Sequence, residues 1–200
     1  MTDLEKVKLN GFAIKYVKEQ TPEICLAAVK RDGFAIKFIK EQTLELCLLA
    51  VKQDALAFEF VKNQTPEVCL AAVKKNGFVI KHVKNQPPDI CLAAVKENGY
   101  AIGFIYNQTH EICLAAVRQN GDCIPYVKKQ TTDIIIAAVE KNACAIRFID
   151  NQTPEIVMAA AKQNNYALDY VQEEFKFLFR EEFRDLTLEE IKVKVPELFL

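Results

Sequence analysis

The sequence predicts an all-α solenoid of 22-residue helix-turn-helix repeats with a C-terminal capping segment, and three observations predict it. Stepping by 22 residues from the TPEICLAAVK stretch at Thr21 returns it nearly unchanged at Thr65, with close variants at Thr43, Pro87, Thr109, Thr131 and Thr153. A fixed period in this range marks stacked repeats. One column never varies in the full units: Ala28, Ala50, Ala72, Ala94, Ala116, Ala138 and Ala160. A small side chain there lets helix backbones approach, where leucine would overpack by roughly 1–3 kcal/mol. Turn signals of the Asn-Gly or Asp-Gly kind separate the two halves of most units. The array runs over residues 1–171 as one partial and seven full units, leaving 172–200 as a cap or an interaction tail.

Within the unit at Thr21, the threonine is a good N-cap, Pro22 suits the first helical position, and Glu23 faces the free amides of the first turn. The acidic site recurs as Glu45, Glu67, Asp89, Glu111, Asp133 and Glu155, which suits helix capping better than catalysis. Ile24, Cys25, Leu26, Ala28 and Val29 cover most of the helix circumference, leaving Glu23, Ala27, Lys30 and Arg31 outside. The helix is expected to stop at Asp32-Gly33, with the glycine left-handed at C′. The same turn stands at Asn10-Gly11, Asn76-Gly77, Asn98-Gly99 and Asn120-Gly121, while Ala55, Ala143 and Asn165 replace the glycine.

The following piece, Phe34 to Lys40, fits two periods. Phe34, Ile36 and Phe38 alternate as in a strand, whereas Phe34/Phe38 and Ala35/Ile39 pair as in a helix. The recurrence of alanine at Ala35, Ala57, Ala101, Ala145 and Ala167 favours a short second helix, with a strand as the alternative. Pro125 is compatible with that helix if Asp122 is its N-cap. A glutamine closes each unit, from Gln20 through Gln42, Gln64, Gln86, Gln108 and Gln130 to Gln152. Such an amide column can bond adjoining turns and tie successive loops together.

The ends differ from the array. Glu5, Lys6 and Lys8 make the first helix more polar, as an N-terminal cap requires. Residues 173–186 read as a longer charged helix carrying Phe175, Phe179 and Phe183, and Thr187 with Glu190 has the spacing of a capping box. Ile191, Val193 and Val195 then alternate, and Leu198, Phe199 and Leu200 offer an apolar route to self-association or a partner's groove.

Composition excludes several classes. Half of the residues are apolar and the net charge is −1, which argues against disorder and against a generally basic nucleic-acid binder. No run is long and apolar enough to span a membrane, and the charged first residues do not resemble a secretory signal, so a soluble cytoplasmic protein is expected. Five of the seven cysteines, Cys25, Cys47, Cys69, Cys91 and Cys113, share one column. Stacked units lie about 10 Å apart, beyond the roughly 7 Å reach of a disulfide, so the column reads as small buried thiols in a reducing compartment.

No catalytic constellation can be assembled, so the chain reads as a non-enzyme with no cofactor and no metal. His82 occupies a column otherwise aromatic (Tyr16, Phe38, Phe60, Phe104, Tyr126, Phe148, Tyr170) and reads as a core stand-in. His110 and Cys113 give two potential ligands, too few to hold zinc. What remains is surface. The outward column Arg31, Gln53, Lys75, Glu97, Gln119, Lys141 and Gln163 varies while its neighbours repeat, and it is the candidate recognition set for a protein partner.

Lysine ridges offer a nucleic-acid alternative. One is Lys18, Lys40, Lys62, Lys84 and Lys128; another is Lys8, Lys30, Lys52, Lys74, Lys96, Arg118 and Lys162; a third is Lys15, Lys37, Lys81 and Arg147. Tyr106 and Asp150 break the first, Glu140 the second, and Glu59, Gly103, Pro125 and Asp169 the third, which disfavours that reading.

The LAAV-K-x-N-G core, at Leu26–Val29, Leu70–Val73, Leu92–Val95 and Leu114–Val117 with the turns that follow, resembles an uncharacterised family of short helical repeats. That family occurs in giant viruses of amoebae and in intracellular bacteria of similar hosts, and the resemblance covers residues 4–171. It implies a repeat scaffold acting in an infected host cell, with no catalytic residues to carry over.

Overall fold

The computed structural model describes residues 1–180, 183 and 185–196 and shows an all-α solenoid of repeating units. Each repeat is an α-helix followed by a 3-10 segment, here labelled η. The chain forms two compact units, Met1–Asn107 and Gln108–Leu200. In the first, the order is α1 (Asp3–Leu9), η1 (Gly11–Tyr16), α2 (Pro22–Arg31), η2 (Gly33–Phe38), α3 (Leu44–Gln53), η3 (Ala55–Phe60), α4 (Pro66–Lys75), η4 (Gly77–His82), α5 (Pro88–Glu97) and η5 (Gly99–Phe104). In the second it is α6 (His110–Gln119), η6 (Gly121–Tyr126), α7 (Thr132–Lys141), η7 (Ala143–Phe148), α8 (Pro154–Gln163), η8 (Asn165–Tyr170), η9 (Glu173–Phe179) and α9 (Leu188–Lys194).

The helices begin where the threonines stand. The hydroxyls of Thr21, Thr43, Thr65, Thr109 and Thr153 accept from the amide three residues on, at 3.3–3.4 Å. Pro87 has no group to offer, and the Thr131 hydroxyl donates to Asp133 instead of capping. Full capping boxes open α1 (Thr2 with Glu5) and α9 (Thr187 with Glu190).

One Asn or Asp both closes the α-helix and opens the 3-10 segment. The Asp32 amide donates to Ala28 O at 2.9 Å, and its carboxylate accepts from Phe34 N–H at 2.9 Å. Its backbone is extended, with φ −152° and ψ 119°. The expected left-handed glycine is therefore corrected: among the described residues none has a positive φ. The glycine is instead the first residue of the 3-10 segment, and what it needs is space. A Cβ at Gly11 would stand 2.7 Å from Ala28 O, and one at Gly33 2.7 Å from Ala50 O.

The glycine of one repeat thus lies against the carbonyl of the unvarying alanine in the next. Those alanines, Ala28 to Ala160, are fully buried. Ala55 and Ala143 at the glycine position show that the seam yields to one methyl group, and Asn165 stands exposed on η8, the last repeat. The core runs between the two rows of elements through Val29, Ile36, Ile39 and their equivalents. Each such side chain contributes about 1.5–3 kcal/mol on burial.

The second half of each unit is helical, as expected, but wound as a 3-10 segment. Pro125 is accommodated because η6 takes Asn120, not Asp122, as its N-cap, and a segment of this length forfeits one i→i+3 bond. The expected long helix over 173–186 is also corrected. Residues 173–179 form η9, which lies against α8 and buries Phe175, Leu178 and Phe179. Ile191 is fully buried inside α9 while Val193 is 82% exposed, so this stretch follows a helical period and not the alternation read from the sequence. Leu198, Phe199 and Leu200 lie outside the described residues.

Candidate interaction surface

The glutamine column fixes the 3-10 segments in place. Gln42 Nε2 donates to Ile36 O at 2.9 Å within its repeat and to Phe60 O at 3.0 Å in the next, while its Oε1 accepts from Lys62 N–H at 2.8 Å. Gln20 and Gln86 repeat all three bonds, and Gln152 does so onto Tyr170 O and Gln172 N–H. Gln64 and Gln108 make the pair that reaches the next repeat. Gln130 departs, donating to Ile124 O and bonding nothing in the next repeat. Each amide satisfies backbone groups left over at the end of a 3-10 segment, so the ladder is spent on the frame.

The frame holds an aromatic surface outward. Among the described residues thirteen large hydrophobic side chains are exposed, and eight of them lie on 3-10 segments: Phe12, Tyr16, Leu56, Phe104, Tyr126, Phe148, Tyr166 and Tyr170. The column read as core at His82 is thus a surface column, from Tyr16 at 76% exposure to half-buried Phe38, Phe60 and His82. With three residues per turn, Gly33, Ile36 and Ile39 share the inner face, Phe34, Lys37 and Lys40 the outer one, and Phe38 stands half-buried on the flank between them, in line with buried Ala35.

Rings meet across repeats edge to face, Phe12 with Phe38 at 6.0 Å, Phe34 with Phe60 at 6.1 Å and Phe78 with Phe104 at 6.0 Å. Cations lie over them: Lys15 Nζ is 4.5 Å from the Tyr16 centroid, Lys37 Nζ 4.8 Å from that of Phe60, and the Arg147 guanidinium 4.5 Å from that of Phe148.

The α-helix row carries the column proposed for recognition. Arg31, Gln53, Lys75, Glu97, Gln119, Lys141 and Gln163 are all exposed. Members of the column are also used internally: Arg31 Nε donates to Leu9 O at 3.2 Å, Gln53 Nε2 to Lys30 O at 3.3 Å, and Lys75 Nζ to Gln53 O at 3.3 Å and to Lys52 O. Each thereby satisfies a carbonyl at the end of the preceding helix. Arg31 also lines a shallow furrow of about 400 Å³ with Leu4, Leu26, Ala27 and Lys30, and Glu97 lines a similar one with Leu70, Leu92 and Ala93.

The loop lysines behave in the same way as Arg31. Lys40 Nζ donates to Lys18 O at 3.1 Å, Lys62 Nζ to Lys40 O at 3.0 Å, and Gln172, in the same column, to Asp150 O at 3.1 Å.

The remaining polar groups are local. His110 Nε2 stands 2.9 Å from Asp133 Oδ2, both exposed, and the Thr131 hydroxyl, then His110, hold the Asp133 carboxyl below its usual range. All seven cysteines are free thiols. Burial pushes up the thiols of the five-member column, and that of Cys123 to about 12, so they are poor nucleophiles. No group of three or more metal-ligating side chains occurs among the described residues, and no helix among them is long and apolar enough to cross a membrane.

The repeats match a known family described as a domain of unknown function (DUF4116), at residues 21–65, 43–87, 65–109, 88–132, 110–153 and 131–176. The matches together cover well over half of the chain. The chain belongs to the DUF4116 family. Each DUF4116 match spans two consecutive repeats. No curated protein and no solved structure matches the chain.

Proposed function

We propose that the chain is a non-catalytic repeat scaffold that binds other proteins, and that the aromatic 3-10 face is where it does so. The observation that carries this reading is the concentration of exposed large hydrophobic side chains on the 3-10 segments of each unit, which glutamine side chains tie to one another. Contiguous exposed apolar surface rimmed by charge marks interaction sites, and tyrosine and phenylalanine supply contact area at small entropic cost. The Arg31 column serves as a flanking set, since Arg31 and Glu97 line furrows of the other row. Cytoplasmic action in a host cell is part of the proposal, supported by the free, buried thiols, which suit a reducing compartment.

Affinity capture from host lysate with the native chain and with a Tyr16→Ser, Phe104→Ser variant tests the reading. It predicts proteins retained by the first and depleted from the second. Identical recovery with both, or recovery of nucleic acid alone, would count against it.

A further inference from the structure

The α-helix row of Met1–Asn107 carries a second, independent assignment, one that leaves the aromatic 3-10 face uncovered. Each of α2–α5 turns the same set outward on one face: an acid, a leucine, an alanine and a lysine at i, i+3, i+4 and i+7, with Leu49 in place of the alanine in α3. In α2 these are Glu23, Leu26, Ala27 and Lys30, the charges exposed and the apolar pair half-buried. The furrow between α4 and α5 is built from the set, with Leu70, Leu92 and Ala93 between Asp89 at one end and Lys74 and Lys96 at the other. Helix α1 departs, carrying Glu5 where Ala27 stands.

The row thus bears an acidic stripe and a lysine stripe with an apolar band between them. Acid and lysine of one helix are about 10 Å apart along its axis, beyond ion-pair reach, and the neighbours along each stripe are like charges. Among the described residues none of these acids and lysines of α2–α5 has an ion-pair partner within the chain. The helix dipole favours each charge where it stands. It gives no reason for leucines left half-exposed between the stripes.

Reversal of the set supplies the reason. Read backwards, acid and lysine exchange places and so do leucine and alanine, so an antiparallel copy lays Glu23 on Lys30 and Leu26 on Ala27, large on small. A two-fold rotation about the repeat direction reverses every helix and keeps the order of repeats, so the match holds in α2–α5 at once. The spacing matches as well, because both surfaces have the same period. A single-stranded nucleic acid would use the lysine stripe alone, beside exposed acids, and leave the leucines uncovered. We propose that α2–α5 form the interface of a symmetric dimer with a second copy of the chain, the acidic stripe of each copy on the lysine stripe of the other.

The four helices have ten residues each. At about 15 Å long and about 8–10 Å apart, they offer about 500–600 Å² per copy, the lower end for a specific interface, so the dimer is weak. Sedimentation equilibrium of the full chain over about 1–300 μM, at about 50 and 500 mM salt, tests this. The expected mass rises from one chain to two and no further, with a dissociation constant raised about tenfold or more at the higher salt. Lys52→Glu and Glu45→Lys each set like charges against each other and are expected to weaken the dimer about tenfold or more. Combined in one chain, Glu45→Lys and Lys52→Glu return opposite charges to facing positions with no change in net charge, and dimerisation is expected to recover. All of these side chains are exposed, and circular dichroism with melting at low concentration checks the fold of each variant.

A native chain that stays monomeric, whether or not it binds an added oligouridylate, overturns the proposal. So does a dimer indifferent to salt, native association in both single variants, a combined variant as weak as the single ones, or growth beyond two chains. Proteins captured through Tyr16 and Phe104 are expected to be indifferent to these substitutions, so the two readings stand or fall separately.

Discussion

At the scale of the residue, the chain is organised by a few side chains whose identity follows from a contact one repeat away. Gln42 makes three bonds to backbone groups, two of them to the next repeat, and truncation would take this donor from the part-buried Phe60 carbonyl. Gln42→Ala is therefore expected to cost about 1–3 kcal/mol in urea unfolding. Gln130 bonds only its own repeat and is exposed, so Gln130→Ala is expected to cost less than about 0.5 kcal/mol. Equal losses in the two variants would show that the inter-repeat bonds carry no weight.

At the scale of the element, the α-helices were legible and the 3-10 segments only partly so. Thr21, Pro22 and Glu23 announce a helix start through local chemistry, and the period of 22 repeats it. Gly33 misled because a glycine after aspartate is the commonest sign of a left-handed cap, whereas its cause here is Ala50 O in the following repeat, a contact no local pattern reports. His82 misled because an apolar column looks like core until the winding is known; three residues per turn puts it half outside. Asp122 looks like the cap because an α-helix tolerates Pro125 only in its first turn, whereas a 3-10 segment starting at Gly121 takes Asn120 as its cap. Of the candidate site, the Arg31 column was legible as exposed, and the aromatic face was visible as a column but not as a surface.

The cysteines of α2–α6 and η6 give these elements a measurable pH response. Burial holds their thiols protonated above the ordinary value of 9.0, and Cys123 to about 12. Between about pH 9 and pH 12 the unfolded chain loses protons that the native state keeps, so stability is level below about pH 9 and falls as pH rises through that window. Urea unfolding of the native chain and of Cys123→Ala should show a shallower alkaline decline in the variant. Parallel declines would mean that Cys123 is not shielded.

At the scale of the molecule, each repeat buries its apolar face only against its neighbours, so stability is a sum of unit and seam contributions. The seam contains the unvarying alanine, fully buried, with the preceding repeat's glycine against its carbonyl. A binding surface built from many repeats depends on that seam, since ridges such as Phe78 with Phe104 are made of rings from two successive repeats. The most direct test replaces Ala94, fully buried on α5 and facing Gly77 of η4, by leucine. Thermal unfolding of Ala94→Leu is expected to fall by several degrees, corresponding to a loss of about 1–3 kcal/mol. A melting temperature equal to that of the native chain would contradict the account.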